Sequence, residues 1–181
     1  MMKYQQRYKS RIKNIYLVGL MGTGKSTIGK ILASRLKMDF IDSDTAIEKI
    51  TGKSISQIFA QKGEKHFRSL EQTFINNGHP KENCIISCGG GLCIPSGTME
   101  TLKEKGLVIC LWAKIETLLN RTKMDQSRPL LEVAKPIETL KKLMMDRESR
   151  YKQADLNIIT DKISPEQVVE RIMNELVNSG A

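Results

Sequence analysis

The sequence predicts an α/β protein, a three-layer α/β/α fold with a five-stranded parallel sheet between two layers of helices. Three observations predict it. From Asn14 onward, short β-rich runs alternate with stretches of helical periodicity, the pattern of successive βαβ units covered on both faces. The chain has 181 residues, enough to close one hydrophobic core and too few for two side by side. Its composition is that of an ordinary globular protein, 40% apolar and 27% charged, but only 5% is aromatic, so the core must be mainly aliphatic.

Residues 1–13 form a basic arm. Lys3, Arg7, Lys9, Arg11 and Lys13 precede Asn14 with no acid among them, and they carry five of the nine excess positive charges. About +4 is left for the single domain expected over 14–181. Such an excess suits an enzyme with polyanionic ligands and falls short of the basic face that nucleic-acid binding needs. The arm reads as a solvated tail, with an RNA or membrane anchor as the alternative. The longest uncharged stretches, Asn14 to Gly24 and Asn83 to Met99, are broken by glycines, so neither is a membrane-spanning helix. No signal peptide is evident. The expected protein is a cytoplasmic monomer with no nucleic-acid or membrane partner.

The candidate strands are Ile15 to Val18, Asp39 to Asp42, Cys84 to Cys88, Leu107 to Trp112 and Leu156 to Thr160. Between them Ile28, Ile31, Leu32 and Leu36 recur at helical spacing, as do Phe67, Leu70, Phe74 and Ile75, and later Val168, Val169, Ile172, Met173 and Leu176. These stripes are assigned to the core. Thr45 with Glu48, Ser54 with Gln57, and Ser164 with Gln167 after Pro165 each fit a capping box at a helix start. The polar segment from Thr122 to Pro136 has two prolines and no periodicity, and reads as a mobile excursion.

Cys84, Cys88, Cys93 and Cys110 form no CxxC pair, which fits a reduced, cytosolic chain. A zinc site from His79, Cys84, Cys88 and Cys93 is conceivable, but their spacings match no usual ligand pattern. His66 and His79 are read as ordinary surface residues.

The strongest chemical signal is Gly19-Leu20-Met21-Gly22-Thr23-Gly24-Lys25-Ser26, which satisfies G-x-x-x-x-G-K-[ST] between a predicted strand and a predicted helix. Such a P-loop turns backbone N–H groups inward around a β-phosphate, and the new helix adds its positive end. Lys25 brings a charge to the β and γ phosphates, and the Ser26 hydroxyl is placed to ligate Mg2+. ATP and Mg2+ are therefore the expected cofactors, with Gly22, Thr23, Gly24, Lys25, Ser26 and Thr27 in contact with the nucleotide. Thr122-Lys123-Met124-Asp125 resembles a guanine-reading TKxD, yet it follows a helical segment and no D-x-x-G occurs in the chain. Both features argue against a GTPase.

Asp42 and Asp44 stand at the end of the second strand, the edge where ligands gather in parallel sheets. Alternation along a strand would point the two carboxylates to opposite sides, one toward the metal and one toward an acceptor hydroxyl. Alternatively, Asp44 and Thr45 cap the next helix. Farther on come Phe67-Arg68-Ser69-Leu70-Glu71, then Ser87-Cys88-Gly89-Gly90-Gly91, then Arg128-Pro129-Leu130-Leu131, and a late Arg147 followed by Tyr151. In this order and spacing, from about Asn14 to Leu176, the motifs resemble those of the shikimate kinase family.

That resemblance implies a P-loop NTPase fold of the nucleoside-monophosphate-kinase type with a mobile lid at about 122–136, and transfer of the ATP γ-phosphoryl group to the 3-hydroxyl of shikimate. By the same resemblance Asp44 grips the acceptor hydroxyls and helps take the proton. Arg68 and Arg147 bind the acceptor carboxylate, a task suited to planar, permanently charged donors. Gly89, Gly90 and Gly91 present backbone N–H groups to the acceptor, Ser87 reaches the metal through water, and Asp42 is the nearby metal carboxylate. Arg128 is the lid arginine that offsets charge on the transferred group, Arg121 stacks on adenine, and Pro165 covers the other ring face.

Two departures stand out. The family reads R-x-P-L-Y and then Ala after three residues, whereas Arg147-Glu148-Ser149-Arg150-Tyr151 lacks the Pro-Leu and Ala154 comes one residue early, which makes Arg150 the substitute for Arg147. The lid, Lys123 to Ser127, is more charged than common versions. Rival readings are a kinase of gluconate or a nucleoside monophosphate, an idle P-loop protein acting through its basic arm, and, for Arg68, a plain surface salt bridge.

Overall fold

The computed structural model describes residues 13–122 and 136–178. Five parallel strands, β1 (Asn14–Val18), β2 (Asp39–Asp42), β3 (Cys84–Ser87), β4 (Leu107–Trp112) and β5 (Leu156–Ile159), form one sheet in the order β2-β3-β1-β4-β5. Among the described residues the helices are α1 (Lys25–Leu36), α2 (Ser43–Thr51), α3 (Ile55–Asn77), α4 (Thr98–Lys105), α5 (Ile115–Thr122), α6 (Pro136–Tyr151) and α7 (Pro165–Asn178). The predicted strands recur with their boundaries, except that β3 and β5 each stop one residue earlier, at Ser87 and Ile159, and β1 starts one earlier.

Alternation along the strands divides the core between the two faces. Ile15 and Leu17 pack with Ile28 and Leu32 of α1 and with Val168, Val169, Ile172 and Leu176 of α7. Tyr16 and Val18 face the other way, onto Ile47, Phe67, Phe74, Leu102, Leu118, Leu140 and Tyr151 from α2 to α6. The predicted stripes are therefore core, and the strands buried on both faces read as continuous apolar runs.

Capping decides where the helices begin. Ser54 and Gln57 make the predicted reciprocal box at α3, and Ser164 and Gln167 make theirs before α7 at 3.2 and 2.8 Å. The box expected from Thr45 and Glu48 is not formed. Asp42 is the cap of α2, its Oδ1 accepting from the N–H groups of Asp44 and Thr45 at 3.1 and 3.4 Å. Asp44 consequently lies in the first helical turn and not on a strand. His79 is also no plain surface residue. Its ring is half-buried between Tyr16 and Phe74, with Nε2 3.3 Å from the Tyr16 hydroxyl.

Because β1, β3 and β2 are neighbours in register, with Leu17 opposite Ser87 and Ser87 opposite Asp42, the segments leaving all three emerge together. The order reverses here, since β1 leads outward to β2 while β3 leads across to β4. Ligands bind at such switch points in open α/β sheets.

Candidate active site

The loop from Gly19 to Gly24 leaves β1 and runs into α1. Gly24, the residue before the helix, has φ 96°, a backbone conformation that a side chain would strain. Lys25 is buried, and its Nζ lies inside the loop, donating to the carbonyls of Gly19 and Leu20 at 2.8 and 2.9 Å. Thr23 braces the same loop with a 2.8 Å bond from Oγ1 to the Leu20 carbonyl. Gly22 abuts Leu118 and Thr122 of α5, and Thr27 is exposed on the first turn of α1.

At the mouth of the loop the Ser26 hydroxyl donates to Asp42 Oδ2 at 2.7 Å, and Ser87 Oγ lies 3.2 Å away. The three oxygens come from α1, β2 and β3, and the sheet register brings them together. Such hard donors, with room for water, match the preference of Mg2+. Asp42 thus has two attachments, one oxygen on the helix cap and one on Ser26.

The second half of the site surrounds the turn after β3. Gly89 N–H donates to the buried Ser43 hydroxyl at 2.8 Å, Leu92 N–H to the Gly89 carbonyl at 3.0 Å, and Ile94 N–H to the Gly91 carbonyl at 3.1 Å. A Cβ built on Gly89 would stand 2.5 Å from Asp44 Oδ1 and 3.1 Å from Glu71 Oε1. One on Gly91 would stand 2.5 to 2.7 Å from the Arg68 guanidinium, so this arginine lies flat against bare backbone. Gly90 faces the P-loop, 3.6 Å from the Gly19 carbonyl by the same construction, and its own carbonyl accepts from Arg147 Nη1 at 3.0 Å. Asp44, Arg68, Arg147 and the three glycines therefore share one cleft beside the Lys25 loop.

Of the predicted readings of Arg68, the salt bridge is formed. The side chain lies in that cleft, donating to Glu64 at 2.7 Å and to Glu71 at 2.6 Å. Glu71 closes the Phe67-to-Glu71 motif, to which the sequence gives no role at this position; it is 1% exposed, and its i, i+3 spacing from Arg68 places both on one helix face. Burial pushes its carboxyl up to about 7, opposed by the Arg68 and Arg147 charges and reinforced by Asp44. Arg68, which burial alone would push down, is held above its ordinary value by Glu71 and Glu64.

Of the two candidate arginines on α6, Arg147 reaches the glycine turn and is buried, whereas Arg150 is half-exposed. Arg121 does not stand free beside a ring site. It donates to the Thr160 hydroxyl and carbonyl at 3.0 and 2.8 Å and to the Gly22 carbonyl at 3.3 Å, joining α5, the loop after β5 and the P-loop. Pro165 is the first residue of α7. Arg128 and most of the expected lid lie outside the described residues. The four cysteines are free and buried, and burial raises the thiol pKa of each, so none is poised as a nucleophile.

Comparisons with known proteins point to one family. A family model described as shikimate kinase matches residues 21–177. A shikimate kinase of Sulfurihydrogenibium sp. is 46% identical over 165 residues, covering 91% of this chain and 98% of the relative. That of Thermodesulfovibrio yellowstonii is 42% identical over 164 residues, covering 91% and 95%. A solved shikimate kinase from Acinetobacter baumannii, in complex with shikimate, superposes with a TM-score of 0.91 at 34% identity, covering 97% of this chain and 98% of that one. A gluconokinase from Sinorhizobium meliloti shares the fold, with a TM-score of 0.62 at 14% identity over 93% of each chain.

Proposed function

The chain belongs to the shikimate kinase family, an ATP-dependent kinase family, and from that premise we propose that it transfers the γ-phosphoryl group of ATP to the 3-hydroxyl of shikimate, giving shikimate 3-phosphate and ADP. The observation that carries this reading is the single cleft in which Asp44, Arg68, Arg147 and Gly89 to Gly91 meet beside Lys25.

In the reaction the hydroxyl oxygen forms a bond to the γ-phosphorus while the bond to the departing ADP oxygen breaks. The transition state is loose, so positioning and charge neutralisation matter more than a powerful base. Lys25 leaves the loop carbonyls for the β and γ phosphates, to which Gly22, Thr23, Gly24, Ser26 and Thr27 supply N–H groups and hydroxyls. Asp44 accepts the hydrogen bond of the attacking hydroxyl and takes its proton. Arg68 and Arg147 hold the acceptor carboxylate, and the N–H groups of the glycine turn complete its bed. Ser26 and Asp42 would hold Mg2+, with Ser87 reaching it through water, and the ion would neutralise phosphate charge. To lie against the base Arg121 would have to turn from its bonds to Thr160 and the Gly22 carbonyl, and Arg128 would offset charge on the transferred group. The reading includes a cytoplasmic setting, supported by four free thiols, a monomer as the working form, and a basic arm 1–13 that is dispensable for turnover.

Gluconate is the competing acceptor of this architecture. ADP formation measured with shikimate, gluconate and nucleoside monophosphates tests the choice. Turnover with shikimate alone is expected, and faster turnover with gluconate would overturn it.

A further inference from the structure

Tyr151 ends α6 and is 1% exposed, and the acceptor reading gives it no task. Its phenol donates to the Gly90 carbonyl at 2.6 Å, the same oxygen that accepts from Arg147 at 3.0 Å. Gly90 has no side chain to anchor it, and a glycine peptide reorients at little cost. Two donors on one carbonyl occupy both lone pairs and fix the plane of the Gly90–Gly91 peptide. That peptide is trans, so the Gly91 N–H points away from the two donors. The turn bonds through Gly89 N–H, Leu92 N–H and Ile94 N–H, and the Gly91 N–H is not among them.

The two donors are not equivalent. Arg147 carries a charge that an anionic acceptor draws toward itself, and once drawn it cannot hold Gly90 with the same geometry. Tyr151 has no such competitor. Its ring stands edge-on to Trp112, with centroids 5.9 Å apart at 88°, and Trp112 is tied through Nε1 to Asn157 at 2.7 Å. Burial raises the phenol well above its ordinary pKa, so it stays a neutral donor throughout the working pH range. We propose that Tyr151 is a positioning residue for acceptor binding: its hydroxyl holds the Gly90 carbonyl so that the Gly91 N–H is directed at the acceptor when Arg147 turns to the acceptor's charge. The proposal rests on the reading that the acceptor lies against the glycine turn.

Tyr151→Phe removes the hydroxyl and keeps the ring. The expected result is a KM for shikimate raised about tenfold, the size of one lost buried hydrogen bond, with KM for ATP and kcat each within about twofold. Tyr16→Phe, an equally buried phenol whose partner is His79, should leave all three unchanged. In the 15N-labelled protein, relaxation dispersion should appear at Gly90 and Gly91 in Tyr151→Phe and be absent from the parent. A KM for shikimate within twofold of the parent, or a parallel rise for both substrates, overturns the proposal. If Tyr151→Phe does not fold, Trp112→Phe, which loosens the support of the ring, must raise the shikimate KM severalfold, and an unchanged value overturns it. Arg68→Leu run in parallel separates the two levels. If it raises the shikimate KM and Tyr151→Phe does not, the positioning role alone fails, and if neither does, the acceptor reading fails with it.

Discussion

Arg68 and Glu71, three residues apart on α3, form a 2.6 Å ion pair in which the carboxylate is almost fully shielded from water. The carboxyl titrates near 7 in the folded protein and near its ordinary 4.5 when unfolded. The folded state therefore binds this proton more tightly. The stability that the group contributes is present in full below about 4.5 and is lost as pH rises through about 7. Melting temperature compared between parent and Glu71→Gln from pH 5 to pH 8 should show a fall in the parent that the variant lacks. A parallel pH dependence in both would assign the pH effect elsewhere.

The same proton bears on acceptor binding. Ionised Glu71 neutralises Arg68 and repels an anionic acceptor, whereas protonated Glu71 leaves the guanidinium its full charge. KM for shikimate should therefore rise from pH 6 to pH 8 in the parent and stay level in Glu71→Gln, as initial-rate kinetics at saturating ATP would show.

Lys25 places its charge inside the loop, on the carbonyls of Gly19 and Leu20. Lys25→Ala should cut kcat by at least about a hundredfold through lost charge stabilisation. Near-normal turnover in that variant would refute the proposed chemistry.

For Arg68→Leu, loss of a charge-assisted contact predicts about a 30-fold or greater rise in KM for shikimate. Calorimetry with a non-hydrolysable ATP analogue should give unchanged nucleotide affinity, because among the described residues Arg68 bonds to Glu64 and Glu71 and not to the P-loop.

The two attachments of Asp42 can be pulled apart. Asparagine is as good a helix cap as aspartate but carries no charge. Asp42→Asn should keep the parent's melting temperature while shifting the Mg2+ dependence of turnover to higher concentration. Asp42→Ala should show the same shift and also lose about 1 kcal/mol of stability by chemical denaturation.

A methyl group at Gly91 would occupy the space of the Arg68 guanidinium. Gly91→Ala should therefore raise the shikimate KM at least tenfold while the fold survives, since the displaced group is the end of a flexible side chain. A crystal structure of the variant with Arg68 still in its place would contradict this.

The elements that chain-local chemistry specifies were legible in the residues themselves. The apolar runs of β1 to β5, the stripes of α1, α3 and α7, and the caps at Ser54 and Ser164 depend on neighbours a few positions away, and they appear where their spacing puts them. The P-loop was legible for the same reason, since a strand, a glycine turn and a helix follow one another without interruption. At Asp42 the local rules competed. Asp42 and Thr45 are both plausible caps, and the choice fell to Asp42 because its carboxylate also meets Ser26 across the sheet.

What the sequence by itself determined is a nucleotide-binding α/β domain and a set of acidic, arginine and glycine motifs in a recognisable order. What only the tertiary structure decided is which of them meet. Asp44, the Arg68–Glu71 pair, Gly90 and the Arg147–Tyr151 pair come from four segments far apart in the chain, and the order of β2, β3 and β1 in the sheet collects them at one edge. Strand order depends on how the whole core packs, and no short stretch of residues carries it. Hence Tyr151, ordinary in its local context, acquires its Gly90 partner through long-range packing alone, and the same packing brings Glu71, paired locally with Arg68, against Gly89.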